Sequence, residues 1–150
     1  TTLYSRLGVM EHESDRYVMA DNPGLIKDGA TGTGLGISFL RHIRRTRLLL
    51  HVVDIGTEKS SDSINAIRTV ERELKAFDDE LATRSRWIIL NKADLVAEGE
   101  ADRVAAELMG ALSWVSPWYV ISAATGEGCA SLTGDIFSWV AKTQRDGPRP

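Results

Sequence analysis

The sequence predicts an open α/β fold, a doubly wound and mostly parallel sheet with helices on both faces. Three observations lead there. Residues 48–53 (interrupted by His51), 87–90 and 118–121 are short runs of largely consecutive apolar residues, as strands covered on both faces have. Segments between and after them carry apolar residues spaced by threes and fours, as amphipathic helices do. Each apolar run ends at a short polar residue, Asp54, Asn91 or Ser122. In alternating sheets of this kind, ligands bind outside the carboxyl ends of the strands.

The elements follow in order. Residues 17–20 run into Asp21 and the Asn22-Pro23-Gly24 break, as a strand ending in a turn would. Five of the thirteen glycines (24, 29, 32, 34 and 36) fall in residues 24–36, a loop by composition. Ile37, Leu40 and Ile43 predict a short helix, and residues 48–53 a buried parallel strand. Ile64, Ile67, Val70, Leu74, Phe77 and Leu81 predict one long helix. A second strand over 87–90 ends at Asn91, and Val104, Leu108 and Leu112 mark the next helix. A third strand over 118–121 ends at Ser122, and Leu132, Ile136, Trp139 and Val140 mark the last helix. Trp114 and Trp118 flank Pro117 and are expected to cover the edge of the core. Residues 145–150 read as a tail, which places the domain at 1–144.

Composition narrows the classes of function. The 150 residues suffice for one domain, and 18 Lys and Arg against 21 Asp and Glu give a net charge of −3. No broad basic field results, which argues against nonspecific nucleic-acid or membrane-surface binding as the main activity. Cys129 is the single cysteine, so neither an internal disulfide nor a zinc cluster is available, and a reducing, cytoplasmic setting is expected. No apolar stretch approaches a membrane span and no signal-peptide pattern opens the chain. His12, His42 and His51 show no metal spacing, and His51, inside a strand pattern, reads as a hydrogen-bonded core residue.

Three polar loops are expected to converge on one edge of the sheet. In Asn91-Lys92-Ala93-Asp94, the Asp94 carboxylate can accept two parallel hydrogen bonds from the ring N–H and exocyclic amine of guanine. Adenine offers no such donor pair, so an unpaired carboxylate would penalise it. Asn91 can tie neighbouring loops together, and the Lys92 stem can lie over the base. Ser122-Ala123-Ala124 can present backbone N–H groups to the guanine carbonyl, its small side chains permitting close approach. Asp21-Asn22-Pro23-Gly24 supplies a carboxylate for Mg2+ and a glycine amide for a terminal phosphate. Each loop alone is also an ordinary turn; their order behind apolar strands gives them weight. Gly32-x-Gly34-x-Gly36 has the wrong spacing for a dinucleotide fingerprint.

The run Asp21-Asn22-Pro23-Gly24-Leu25-Ile26, the segment Gly34-Leu35-Gly36-x-x-Phe39-Leu40-Arg41-His42-Ile43, the strand Leu49-Leu50-His51-Val52-Val53-Asp54 and the loop Ser122-Ala123-Ala124-Thr125-Gly126-Glu127-Gly128 together resemble the Obg family of GTPases. The resemblance implies a P-loop NTPase-type sheet, GTP and GDP as ligands with Mg2+, slow GTP hydrolysis, and a cytoplasmic role with the large ribosomal subunit and its assembly. It implies that Thr2, with Thr1 beside it, is the switch-I ligand to Mg2+, and that Asp21, Asn22, Pro23 and Gly24 form the switch-II phosphate motif. Thr2 and Gly24 are then the catalytic positions, and Thr2 and Asp21 the metal positions. Asn91, Lys92 and Asp94 match the guanine-specificity loop, and Ser122, Ala123 and Ala124 the base-contacting loop. Arg41, Arg44, Arg45 and Arg47 form a basic cluster that can contact ribosomal RNA.

The sequence departs from common GTPase patterns in three places. Asn22 stands where an aliphatic residue is expected, and Leu25 stands where many small GTPases carry a water-orienting glutamine, although an apolar residue there is also the Obg pattern. No Gly-x-x-x-x-Gly-Lys-Ser/Thr occurs in the chain, so the first strand and phosphate loop are expected upstream, and this chain alone is expected to be inactive. The alternative is a non-enzymatic α/β binding module that lost the phosphate loop.

Overall fold

A computed structural model describes residues 6–12, 15–21, 47–57 and 59–146, the first two segments as backbone. Strands β1 (Arg6–His12) and β2 (Asp15–Asp21) form an antiparallel pair, with Arg6 opposite Asp21 and His12 opposite Asp15. A second sheet holds β3 (Leu49–Asp54), β4 (Arg86–Asn91) and β5 (Trp118–Val120), all parallel, in that order. Helices α1 (Ser60–Phe77), α2 (Asp79–Ala82), α3 (Ala101–Ala111) and α4 (Cys129–Asp146), with a 3-10 turn at Ala93–Leu95, complete the described elements.

Strand β4 organises the core because it is apolar at every interior position. Successive side chains of a strand point to opposite faces. Ile88 and Leu90 therefore face one layer, where Val53, Ile67, Ala105, Leu108 and Met109 bury them under α1 and α3. Trp87 and Ile89 face the other, against Leu132 and Ile136 of α4. Trp87 also meets the edge of Trp139, with ring centroids 6.4 Å apart. The three-stranded parallel sheet thus has helices on both faces, the fold class that the apolar runs predict.

Several expectations change in detail. β1 has no clear sequence signal: in Leu7-Gly8-Val9-Met10, apolar Met10 directly follows Val9 and blurs the alternation. β2 extends the expected 17–20 strand to seven residues, and its described partner is β1, not the central sheet. β3 is parallel as expected but not buried on both faces, for Val52 is 57% exposed. Among the described residues β3 pairs on one side only, with β4. The long helix expected through Leu81 breaks at Asp78, whose backbone is extended (φ −164°, ψ 122°) and whose Oδ1 accepts the Glu80 N–H at 2.9 Å. An aspartate that caps a new helix start ends the previous one, and the apolar spacing passes through the break unaltered. Leu112 caps α3 instead of lying within it, and α4 continues through Arg145 and Asp146, into the stretch read as a tail. Trp114 packs on the core and donates its Nε1–H to Pro117 O at 3.3 Å, whereas Trp118 is 38% exposed. The glycine-rich loop over 24–36 and the helix expected at 37–43 lie outside the described residues.

His51 also differs from its expectation. Its Nδ1 is buried without a hydrogen-bond partner among the described residues. Burial, followed by the nearby Arg86 cation, pushes the imidazole down from 6.5 to about 4. Arg86 is itself paired with Glu71 at 2.7 Å and lies 5.0 Å over the Trp114 ring. A histidine held neutral when folded stabilises the fold above its unfolded pKa, and that stability is lost as pH falls through 6.5 toward 4. Between pH 8 and pH 5 the loss is about 2 kcal/mol. Denaturant unfolding of the native protein and His51→Leu at both pH values checks this: the variant should lose less stability on acidification.

Candidate functional site

The carboxyl ends of β3, β4 and β5 carry three short loops joined by side-chain hydrogen bonds. After β4, the chain turns at Lys92, whose φ of 70° and ψ of 35° place a non-glycine residue in the left-handed region. Such a residue needs local support. That turn leads into a single 3-10 turn, Ala93–Leu95, and sets Asn91 and Asp94 beside the loop that follows β5.

Two bonds fix that pairing. The Ala123 N–H donates to Asn91 Oδ1 at 2.9 Å, and the Ser122 hydroxyl donates to Asp94 Oδ1 at 2.8 Å. Ser122 is fully buried, and its Oγ accepts the Thr125 N–H at 3.2 Å, so the hydroxyl serves both loops. Backbone adds to the joint, with the Ala93 N–H on Ile121 O at 3.1 Å. The Asp94 carboxylate is exposed, and among the described residues no hydrogen bond occupies Oδ2, so it can take an incoming donor. Asn91, Lys92, Asp94, Ser122, Ala123 and Ala124 therefore lie together at one sheet edge.

Gly126 (φ +87°) and Gly128 (φ +77°) close the second loop, where the Gly126 N–H donates to Ser122 O at 2.8 Å. At Gly128 a Cβ would lie 2.5 Å from Val120 O, so the loop packs back onto β5 with no room for a side chain.

Sequence reasoning noted Asp54 only as a strand end, yet it holds the third loop. Its Oδ1 accepts the N–H of Gly56 at 2.8 Å and of Thr57 at 3.0 Å. Its Oδ2 accepts the Thr57 hydroxyl and, at 2.7 Å, the Lys92 ammonium. The hydrogen bond from Lys92, followed by that from the Thr57 hydroxyl, holds the Asp54 carboxyl well below the usual carboxylate range. At Gly56 a Cβ would lie 2.7 Å from Lys92 O, so the absence of a side chain lets the loops after β3 and β4 touch. A carboxylate closing a strand two residues before a glycine was the available signal.

The remaining expected positions fall mostly outside the described residues. Asp21 is the last residue of β2, described as backbone. Thr1, Thr2, Asn22, Pro23, Gly24 and Leu25 lie outside the described residues, as do Arg41, Arg44 and Arg45. Arg47 is exposed, just ahead of β3. Among the described residues, no group of three or more His, Cys, Asp or Glu can hold a metal ion, and no helix is long and apolar enough to cross a membrane.

The family model described as "50S ribosome-binding GTPase" matches residues 1–92. Among solved structures, translation elongation factor SelB from Methanococcus maripaludis, in complex with the GTP analogue GppNHp, is 18% identical, with a TM-score of 0.61 over 93% of this chain and 28% of that one. Era in complex with MgGDPNP and nucleotides 1506–1542 of 16S ribosomal RNA is 17% identical, with a TM-score of 0.66 over 92% of this chain and 45% of that one. Nucleolar GTP-binding protein 1 from Plasmodium falciparum is 18% identical, with a TM-score of 0.55 over 93% and 76%. The chain thus spans 28% and 45% of the first two proteins. At such identities the likeness shows the fold.

Proposed function

The chain belongs to the 50S ribosome-binding GTPase family, and from that premise we propose that it is the base-reading part of a guanine-nucleotide switch. The observation that carries the reading is the pair of bonds joining the loops after β4 and β5, Ala123 N–H to Asn91 and Ser122 hydroxyl to Asp94. In this reading Asp94 accepts the ring N–H and exocyclic amine of guanine. The Ala123 amide is already given to Asn91, so the Ala124 amide is the donor for the guanine carbonyl. Adenine would leave the Asp94 charge without its donor pair, which is the source of selectivity.

The switch half of the proposal rests on the Obg-like sequence. Thr2 and Asp21 would hold Mg2+, Thr1 would stand beside them, and Asn22, Pro23 and Gly24 would meet the terminal phosphate, with Thr2 and Gly24 acting in hydrolysis. A bound Mg2+ would neutralise charge on the phosphates. Leu25 cannot orient water by hydrogen bonding, so the intrinsic rate would be slow. This chain carries no Gly-x-x-x-x-Gly-Lys-Ser/Thr, and hydrolysis is assigned to the intact protein. The family description and an RNA-bound structural neighbour support a ribosomal partner; that this partner would be the large subunit during its assembly rests on the Obg-like sequence. Exposed Arg47, with Arg41, Arg44 and Arg45, would contact ribosomal RNA, and the location would be cytoplasmic.

The test is a competition titration of the intact protein with GDP and ADP. GDP should displace a fluorescent guanine nucleotide, and ADP should fail at a hundredfold excess, about 2.7 kcal/mol of discrimination. Equal displacement by ADP, or no guanine-nucleotide binding, would favour a binding module without this chemistry.

A further inference from the structure

We infer that Asp54 is a positioning residue for nucleotide selection: it holds Lys92 in its left-handed turn and fixes the lysine stem as one wall of the base site. This rests on the guanine-binding reading above. Asp54 ends β3 and Lys92 follows β4, so the 2.7 Å ion pair spans two adjacent parallel strands at the edge where the loops gather. The carboxylate cannot swing freely, because Gly56 N–H, Thr57 N–H and the Thr57 hydroxyl hold both of its oxygens. It is therefore a fixed anchor, and the flexible member of the pair is the lysine.

Three features make this more than a surface ion pair. Lys92 has φ 70°, a conformation that a lysine adopts only with support. Gly56 leaves no space between the two loops, since any side chain there would meet Lys92 O and Leu95 Cβ within 2.8 Å. The Ile55 N–H also donates to Asn91 O at 3.1 Å, so the residues before Lys92 and after Asp54 are tied by backbone. Lys92 lies between Asn91 and Asp94, both of which bond the loop after β5. Fixing Lys92 thus fixes the spacing of the two residues assigned to the base.

The test measures GDP affinity of the intact protein for the native form, Asp54→Asn, Lys92→Ala and the double variant, with thermal unfolding of each. Asn keeps an oxygen for the Gly56 and Thr57 amides but loses the charge that draws Lys92. Asp54→Asn should weaken GDP binding by about fivefold to tenfold, the size of a well-ordered charged pair. In the Lys92→Ala background the same change should have almost no further effect, because Asp54 acts through Lys92. Losses that multiply would overturn the inference, as would unchanged or tighter GDP binding in Asp54→Asn. If Asp54→Asn fails to fold, Thr57→Val provides the second route: it removes one restraint on Asp54 and should weaken GDP binding less, again only when Lys92 is present. Failure of the guanine reading is separable, since then the native protein would not prefer GDP over ADP at all.

Discussion

Asp94→Asn in the intact protein is expected to cost about 2–5 kcal/mol of GDP affinity, a loss of roughly thirtyfold to several thousandfold. The change turns one acceptor oxygen into a donor, which then opposes the donor edge of guanine instead of matching it. The fold should tolerate the substitution, because Asp94 is exposed and its one described side-chain bond comes from the Ser122 hydroxyl, which an amide oxygen can still accept. Isothermal titration with GDP, alongside thermal unfolding, separates lost affinity from lost fold. A variant that binds GDP as the native protein does would remove Asp94 from the base site.

Gly128→Ala carries the largest expected effect on stability, about 2–3 kcal/mol, or a fall of roughly 5–10 °C in Tm. Two terms contribute. The residue sits at φ +77°, which disfavours a side chain, and the new Cβ would lie 2.5 Å from Val120 O and 3.2 Å from Ile121 Cγ2. Gly126→Ala provides the comparison. Its φ is +87° but nothing lies within 4 Å of its Cβ position, so only the conformational term, about 1 kcal/mol, should appear. Equal destabilisation by the two variants would mean that the loop does not pack on β5 as described. Because Gly128 follows the base loop, its variant should also loosen the Ser122–Asp94 bond and weaken GDP binding, and Gly126→Ala should not.

What the sequence made legible follows from how many constraints act on each element. β4 is central, apolar on both faces and bounded by polar residues, so its position and ending at Asn91 were readable directly. β3 is nearly as apolar, apart from His51, but apolar composition alone does not say how far each face is covered, and Val52 is exposed. The β1–β2 hairpin escaped because an antiparallel pair is read from alternation, and Val9-Met10 interrupts it. The Asp78 break escaped because Phe77 and Leu81 preserve helical spacing across it. The site divides in the same way. Asn91, Lys92 and Asp94 form a compact motif, and Ser122 to Ala124 follow an apolar strand at a suggestive distance. Asp54 has no such mark. Its partner Lys92 lies 38 residues away, and only the parallel register that sets Asp54 opposite Asn91 brings them together.

The central claim is that Asp94, held against Ser122 at the joined ends of β4 and β5, reads the donor edge of guanine. The most direct measurement titrates GDP and XDP against the native protein and Asp94→Asn. Xanthine carries a carbonyl where guanine carries its exocyclic amine, so it presents an acceptor there. The native protein should prefer GDP, and Asp94→Asn should prefer XDP, each by at least about tenfold. A variant that binds both nucleotides weakly with no reversal, or a native protein indifferent to the base, would contradict the account.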